Sequence, residues 1–228
     1  MSKFGINKEE MLEAGLNFGH RTSRVNPKIK PYISSVRNGV HLFDLDKTAE
    51  KLEQALEFIE KLISEGKSLL VVGTKIQSKD LVKEFAEECN LFYINQRWLG
   101  GTFTNFKTMK KRLSYFKELE EKKKKGELDK YTKLERLKID KELKDLEIKF
   151  GGIKEMNLLP DAILVMDMKK DALAVKEARV KGIKVIGLAD TNIDPTLADY
   201  VIPANDDAIN SIKYILEKIK QVILKSRK

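Results

Sequence analysis

Asp167, Asp190 and Asp194 fall at or after the carboxyl ends of predicted strands, where ligand sites of α/β proteins collect. Gathered together, their oxygens could hold Mg²⁺ as in a phosphoryl-transfer site. Aspartates in such places also cap helices or order turns, and Asn192 and Pro195 favour the turn reading here. Gly73-Thr74-Lys75 follows another predicted strand and invites comparison with a phosphate-binding loop. The comparison fails on spacing, because the intervening residues and second glycine of a Walker loop are missing. No G-x-G-x-x-G pattern follows any strand. His20 and His41 are the only histidines, and neither has a Cys, His or Asp neighbour at metal-ligand spacing. No base–nucleophile pair is visible. An enzyme, namely a Mg²⁺-dependent phosphoryl-transfer or signalling domain using Asp167 and Asp190, is therefore the alternative reading, and no cofactor is called for.

Basic charge interleaved with aromatic and polar residues is the better-supported constellation. The 228-residue chain carries a formal charge of +9, with 35% charged and 42% hydrophobic residues. The cations are segregated. From Ala14 through Phe43 there is no acidic residue, yet the span holds Arg21, Arg24, Lys28, Lys30 and Arg37. From Cys89 through Lys117 there is again none, and this span holds Arg97, Lys107, Lys110, Lys111, Arg112 and Lys117 beside Trp98, Phe103 and Phe106. Segregated cations release counterions on binding a polyphosphate, which makes nucleic acid the first partner to consider and a membrane surface the second. His20, beside Arg21, then reads as a structural or RNA-facing hydrogen-bond donor. Arg97 and the lysines would position a nucleic-acid backbone, while Trp98 or the Gly100-Gly101 backbone could lie against sugar or base. A lone Trp is as readily a buried anchor for its loop. The Lys122–Lys125 block could be only a solvated tip.

The elements that must hold these residues follow from periodicity. Lys8 to Leu16 is a short amphipathic helix. Residues 19–32, with two prolines and little periodicity, read as an extended, ordered loop. Arg37-Asn38-Gly39 between apolar runs marks a hairpin. Asp46 to Glu65 and Ile76 to about Glu88 are helices, and Ser68–Val72 and Leu91–Ile94 are buried strands. Thr102 or Thr104 is placed to cap the next helix. Phe106, Met109, Leu113 and Phe116 step along one face of that helix. Leu128, Tyr131, Leu134 and Leu137, then Ile139, Leu143, Leu146 and Phe150, form a second seam with a slip in register. The two read as an antiparallel hairpin whose arms each extend roughly 30 Å. Strands at 162–166, 184–189 and 200–202 alternate with helices at 170–181 and after Asn205 or Asp206, which implies a parallel sheet covered on both faces. The expected organisation is an α/β core over 1–102 and 153–228, with 103–152 an inserted helical hairpin. The lone Cys89, the absence of a signal-peptide pattern at the N-terminus and the lack of any long apolar run point to a cytosolic chain.

Several motifs together resemble the bacterial-type small-subunit ribosomal protein S2 family. They are Gly19-His20-Arg21-Thr22, Asn26-Pro27-Lys28 with Pro31-Tyr32-Ile33, Arg37 through Leu45, Asn95 through Phe106, Pro160-Asp161-Ala162, Gly187 through Asn192 and Pro203 through Ala208. They cover almost the whole chain in the family's order. Val25 stands where the family usually has Trp, and the acidic tail of some members is missing. The resemblance implies a flavodoxin-like, parallel five-stranded sheet with helices on both faces and a projecting helical hairpin. It implies a structural, non-catalytic role on the solvent side of the small ribosomal subunit. The implied partners are small-subunit (16S-type) rRNA of head and body and neighbouring small-subunit proteins, with no membrane and no small-molecule substrate. The residues expected to meet RNA are His20, Arg21, Arg24, Lys28, Lys30, Arg37, Arg97, Trp98, Asn105, Lys107, Lys110 and Lys111.

Overall fold

The computed structural model describes residues 3–227, apart from the side chains of Asp129 and Lys130. Met1, Ser2 and Lys228, at the ends of the expected core segments, lie outside that range. Asn7 opens α1 (Lys8–Glu13) by accepting a hydrogen bond from the Glu9 amide. β1 (Phe18–Arg21) follows, then a 3-10 turn over Pro27–Tyr32 capped by the Asn26 side chain. β2 (Ile33–Arg37) and β3 (Val40–Phe43) are joined by Asn38 and Gly39, both at positive φ (51° and 74°), as an Asn-Gly hairpin turn requires. The three strands form a small antiparallel sheet in the order β1-β3-β2. The expectation of a loop over residues 19–32 is thus corrected: Gly19, His20 and Arg21 are strand, and the last part is helical. What makes β1 a strand is a partner beyond the hairpin turn, which local periodicity does not report.

The chain then alternates. α2 (Leu45–Ser64) leads to β4 (Leu69–Val72), α3 (Lys79–Glu88) and β5 (Phe92–Ile94). The helical arm is α4 (Phe106–Lys124) and α5 (Lys133–Phe150). β6 (Ala162–Val165), α6 (Ala172–Val180), β7 (Lys184–Ala189), β8 (Tyr200–Pro203) and α7 (Ile209–Ser226) complete it. The five later strands form one parallel sheet in the order β5-β4-β6-β7-β8. Counted along the chain this is 2-1-3-4-5, the flavodoxin-like order, whose ligand crevice lies between β4 and β6.

Each strand sends alternate residues to opposite faces. Leu69, Val71, Leu164 and Ile186 join a core with α1, α2, α3 and α7. Leu70, Val72, Val165 and Val185 join a second core with α6, the base of the arm, the 3-10 turn at Ile29 and the segment at Trp98 and Phe103. The first acid-free stretch from Ile29 to Phe43 and the second from Ile94 to Phe116 therefore pack on the same face of the sheet, while Leu16 and Cys89 near their starts join the other core.

The arm closes on Met109, Leu113, Phe116 and Leu119 of α4 with Leu143 and Phe150 of α5. Gly126 turns the chain at φ 72°, and Thr132 and Glu135 form a reciprocal capping box that starts α5. At the base, Lys154 pairs with Glu120 and sits 5.0 Å from the centroid of the Phe116 ring. The expected seam is only half observed. Leu134 and Leu137 are 64% and 59% exposed, so α5 buries Ile139, Leu143, Leu146 and Phe150 but not its first turns.

Candidate nucleic-acid interface

The flavodoxin-like crevice is filled by the protein's own side chains. The Lys75 ammonium, just past β4, lies 3.1 Å from Asp167, 2.7 Å from Asp206 and 2.8 Å from Asp207. Burial alone would lower the Lys75 pKa, but hydrogen bonds to Asp206 and Asp207 raise it. Burial, with Asp167 and Asp190 close by, pushes Asp206 up to about 7. Asp167 also receives the Lys169 and Lys170 amides, and Asp171 receives the Thr74 amide and hydroxyl. The ammonium and the carboxylates in this crevice are thus paired with one another or with nearby N–H and hydroxyl groups.

Asp190 and Asp194 dock the N-terminal basic segment instead of a metal-bound substrate. Asp190 lies 3.0 Å from His20 Nδ1, and this hydrogen bond raises the imidazole pKa. The Thr191 hydroxyl accepts the His20 amide at 2.9 Å, and the Thr191 carbonyl accepts the Asn26 amide at 2.8 Å. Gly19 is required at this contact, since a Cβ there would fall 2.5 Å from the Thr191 methyl. Asp194 caps the turn at Thr196 and pairs with Lys28 at 2.6 Å. The turn reading thus holds for Asp167 and Asp194, and the three aspartates do not converge. A different group does: His20, Asp190 and Asp207 each offer a ligand atom within 4.8 Å of one another, a spacing that suits a divalent cation. The sequence reading missed this trio because its members come together only through the docking of β1 against the β7–β8 connection.

That docking sets the cations of the first stretch outward. Arg21, Arg24, Lys28, Lys30 and Arg37 are all exposed, whereas His20 is largely buried. Among the described residues only Lys28 of this group has an ion-pair partner.

The second stretch is held by one carboxylate that the sequence did not single out. Glu177 of α6, 5% exposed, accepts the amides of Gly101 at 2.7 Å, Phe103 at 2.8 Å and Thr104 at 3.1 Å. Burial alone would raise its pKa, but these N–H groups, with the Trp98 indole nearby, hold it below the ordinary carboxylate range. Gly101 enters the turn at φ 90°, which a side chain resists. The expected caps are corrected by this arrangement: Asn105 is the N-cap of α4 with no side-chain bond, and Thr102 bonds back to the Leu99 carbonyl. The later expectation is corrected too, since the final helix opens at Ala208, while Asn205 accepts the Asp207 and Ala208 amides just before it. Trp98 is the anchor of the loop. It is 6% exposed and packs edge-on to Phe103 at 4.8 Å between ring centroids. Arg97, Asn105, Lys107, Lys110 and Lys111 remain exposed, and none of the four cations among them has an ion-pair partner among the described residues. The arm's tip differs: Lys123 pairs with Asp140, Lys124 with Glu120 and Lys125 with Glu121.

Fold and site together define an α/β protein whose ligand crevice is closed by its own charges and whose free cations project from one sheet face. The family model for ribosomal protein S2 matches residues 11–226. A relative from Roseiflexus sp. (strain RS-1), described as small ribosomal subunit protein uS2, is 48% identical over 222 residues, covering 97% of this chain and 85% of the relative. The chain belongs to the ribosomal protein S2 family. It is a ribosomal protein, not an enzyme, and the phosphoryl-transfer alternative falls. Among the described residues no helix is long and apolar enough to cross a membrane.

Proposed function

We propose that this chain is a structural constituent of the small ribosomal subunit that binds 16S-type rRNA through Arg21, Arg24, Lys28, Lys30, Arg37, Arg97, Asn105, Lys107, Lys110 and Lys111. The core and the arm over 103–152 act as separate parts of that role, helping to hold head and body together on the solvent side beside neighbouring small-subunit proteins. His20 and Trp98 serve the interface from inside, by fixing the backbone that carries Arg21 and Arg97. The observation that carries this reading is that, among the described residues, the exposed cations of both acid-free stretches other than Lys28 form no ion pair, and that the segments around Ile29 and Trp98 which carry them pack on one face of the sheet. Unpaired cations repel one another and are relieved by a polyanion.

The test is binding of the full chain to small-subunit rRNA across a salt series. Log K is expected to fall with log salt by about 0.7 to 0.9 per phosphate neutralised, so several contacts give a steep line. A binding constant flat from low to physiological salt would sink the electrostatic account.

A further inference from the structure

α6 turns outward a row of cations that the sequence conceals. Lys169 and Lys170 in the turn before the helix, Lys176 and Arg179 on it, and Lys181 just after it are all exposed. In sequence the row is interrupted by Asp171 and Glu177, which makes it look like an ordinary mixed-charge helix. In the fold both acids point inward, 3% and 5% exposed, and are consumed by Thr74 and by the 101–104 backbone. Asp199, whose charge Arg179 also feels, is already bonded to Lys184 and to the Val185 amide. Among the described residues none of the five cations forms an ion pair. The outer surface from Lys169 to Lys181 is therefore free of exposed acid.

We propose that this row is a further RNA-backbone site, continuous with the turn at Arg97; the proposal rests on the rRNA-binding reading above. Continuity follows from the packing. Gly100 lies against Leu173, where an added Cβ would be 3.7 Å from the leucine methyl, and Glu177 ties α6 to Gly101, Phe103 and Thr104. A ligand held by Arg97 and Lys107 thus meets α6 on the same face of the sheet. The nine-residue helix is about 14 Å long, enough to pass several successive phosphates at about 3.4 Å of duplex axis each. Lysines dominate the row, and flexible point charges suit phosphate positioning rather than base reading. An RNA backbone fits better than a lipid surface, because Trp98 and Phe103 of the adjoining turn are buried, and the apolar side chains α6 does expose, Leu173 and Val180, are aliphatic and two helical turns apart with Lys176 between them.

The experiment uses the full chain with Lys176→Gln, Arg179→Gln and Lys181→Gln combined, against Arg97→Ala and the unaltered protein. Probes are a 16S-type rRNA transcript over a salt series and vesicles of phosphatidylserine with phosphatidylcholine. The triple variant is expected to keep its circular dichroism and thermal midpoint. Its binding should weaken about tenfold or more near 0.1 M salt, and its salt slope should become shallower by about 2 to 3, as three lost phosphate contacts require. Lys176→Arg with Lys181→Arg should keep the parent slope. An unchanged slope and affinity in the triple variant, with Arg97→Ala weakened, overturns the α6 site and leaves the rRNA reading standing. Loss of vesicle binding with RNA binding intact overturns it in favour of a membrane surface. No binding by the unaltered protein overturns the rRNA reading itself and this site with it.

Discussion

Replacing Glu177 by Gln tests whether one buried carboxylate organises the Arg97–Phe106 turn. The glutamate accepts three backbone N–H groups, one on one oxygen and two on the other. Glutamine keeps the shape but exchanges one oxygen for NH₂. Its better orientation leaves the carbonyl oxygen on Phe103 and Thr104 and turns the NH₂ toward the Gly101 amide, donor against donor. One bond to a charged acceptor is then lost, worth about 1.5–3 kcal/mol. The other two fall from charge-assisted to neutral strength, roughly half. Against this, a neutral amide no longer bears the cost of burying a charge. The net expectation is a loss of about 2–4 kcal/mol at pH 7. The pH dependence has a definite sign. Glu177 titrates below its ordinary value when folded, so its contribution is present above about pH 4.3 and is lost as pH falls through the lower folded value. The gap between parent and variant should therefore shrink in acid. Urea unfolding followed by circular dichroism measures it, with the midpoint shifting and the slope unchanged. Amide exchange at Gly101, Phe103 and Thr104 should quicken selectively. A destabilisation under about 0.5 kcal/mol, or unchanged exchange at those amides, refutes the reasoning.

Arg97→Ala should weaken rRNA binding by about 1–3 kcal/mol, the loss of a charged hydrogen bond. Lys123→Ala or Lys124→Ala should cost less than about 1 kcal/mol, since those side chains already have acidic partners at the arm's tip; filter binding at matched salt decides, and the reverse order would place the binding in the arm. Asp194 should titrate at about 2 by carboxyl NMR, because Lys28 and then Thr196 hold its charge. Its pairing with Lys28 should accordingly persist below pH 3.9 and fail only as pH falls through about 2, whereas a titration near 4 would mean that the pair does not form in solution. Lys75→Ala strips the shared partner from Asp167, Asp206 and Asp207 and should cost about 3–5 kcal/mol at pH 8. The loss should be smaller at pH 5, where Asp206, pushed up to about 7, takes a proton; a cost independent of pH would show that the carboxylates do not strain one another.

The parallel sheet, the Asn38-Gly39 hairpin and the arm were legible because each is written in a local pattern. β1 was not, because its partner β3 lies beyond a hairpin that belongs to other residues. The same long reach hid the trio His20, Asp190 and Asp207. Thr102 and Thr104 were reasonable caps on local grounds, yet Glu177 arrived from α6 and took the amides. Trp98 could be read as contact or anchor from its type alone, and burial against Phe103 decided it. Charge runs were read from acid-free sequence, a criterion that finds Arg21–Arg37 and Arg97–Lys111. It passes over α6, whose acids are absent only from its surface. A sequence counts charges, and only a fold says which of them meet water.

The division of the helices between the two sheet faces has a kinetic consequence. α1, α2 and α3, rich in Glu and Asp, share one face with α7, whose lysines offset part of that charge, while the turn, the start of α4 and α6 stand on the other with cations outermost. Such a plate carries a lasting electric moment across its thickness. Near a folded RNA the torque on that moment rotates the protein before any side chain touches, so that the encounter begins cationic side first. Collisions on the acidic side are turned back instead of becoming trapped in wrong orientations. Assembly at low ionic strength should then be faster than orientation-blind diffusion permits, and the advantage should shrink as the Debye length falls to about 8 Å at physiological salt.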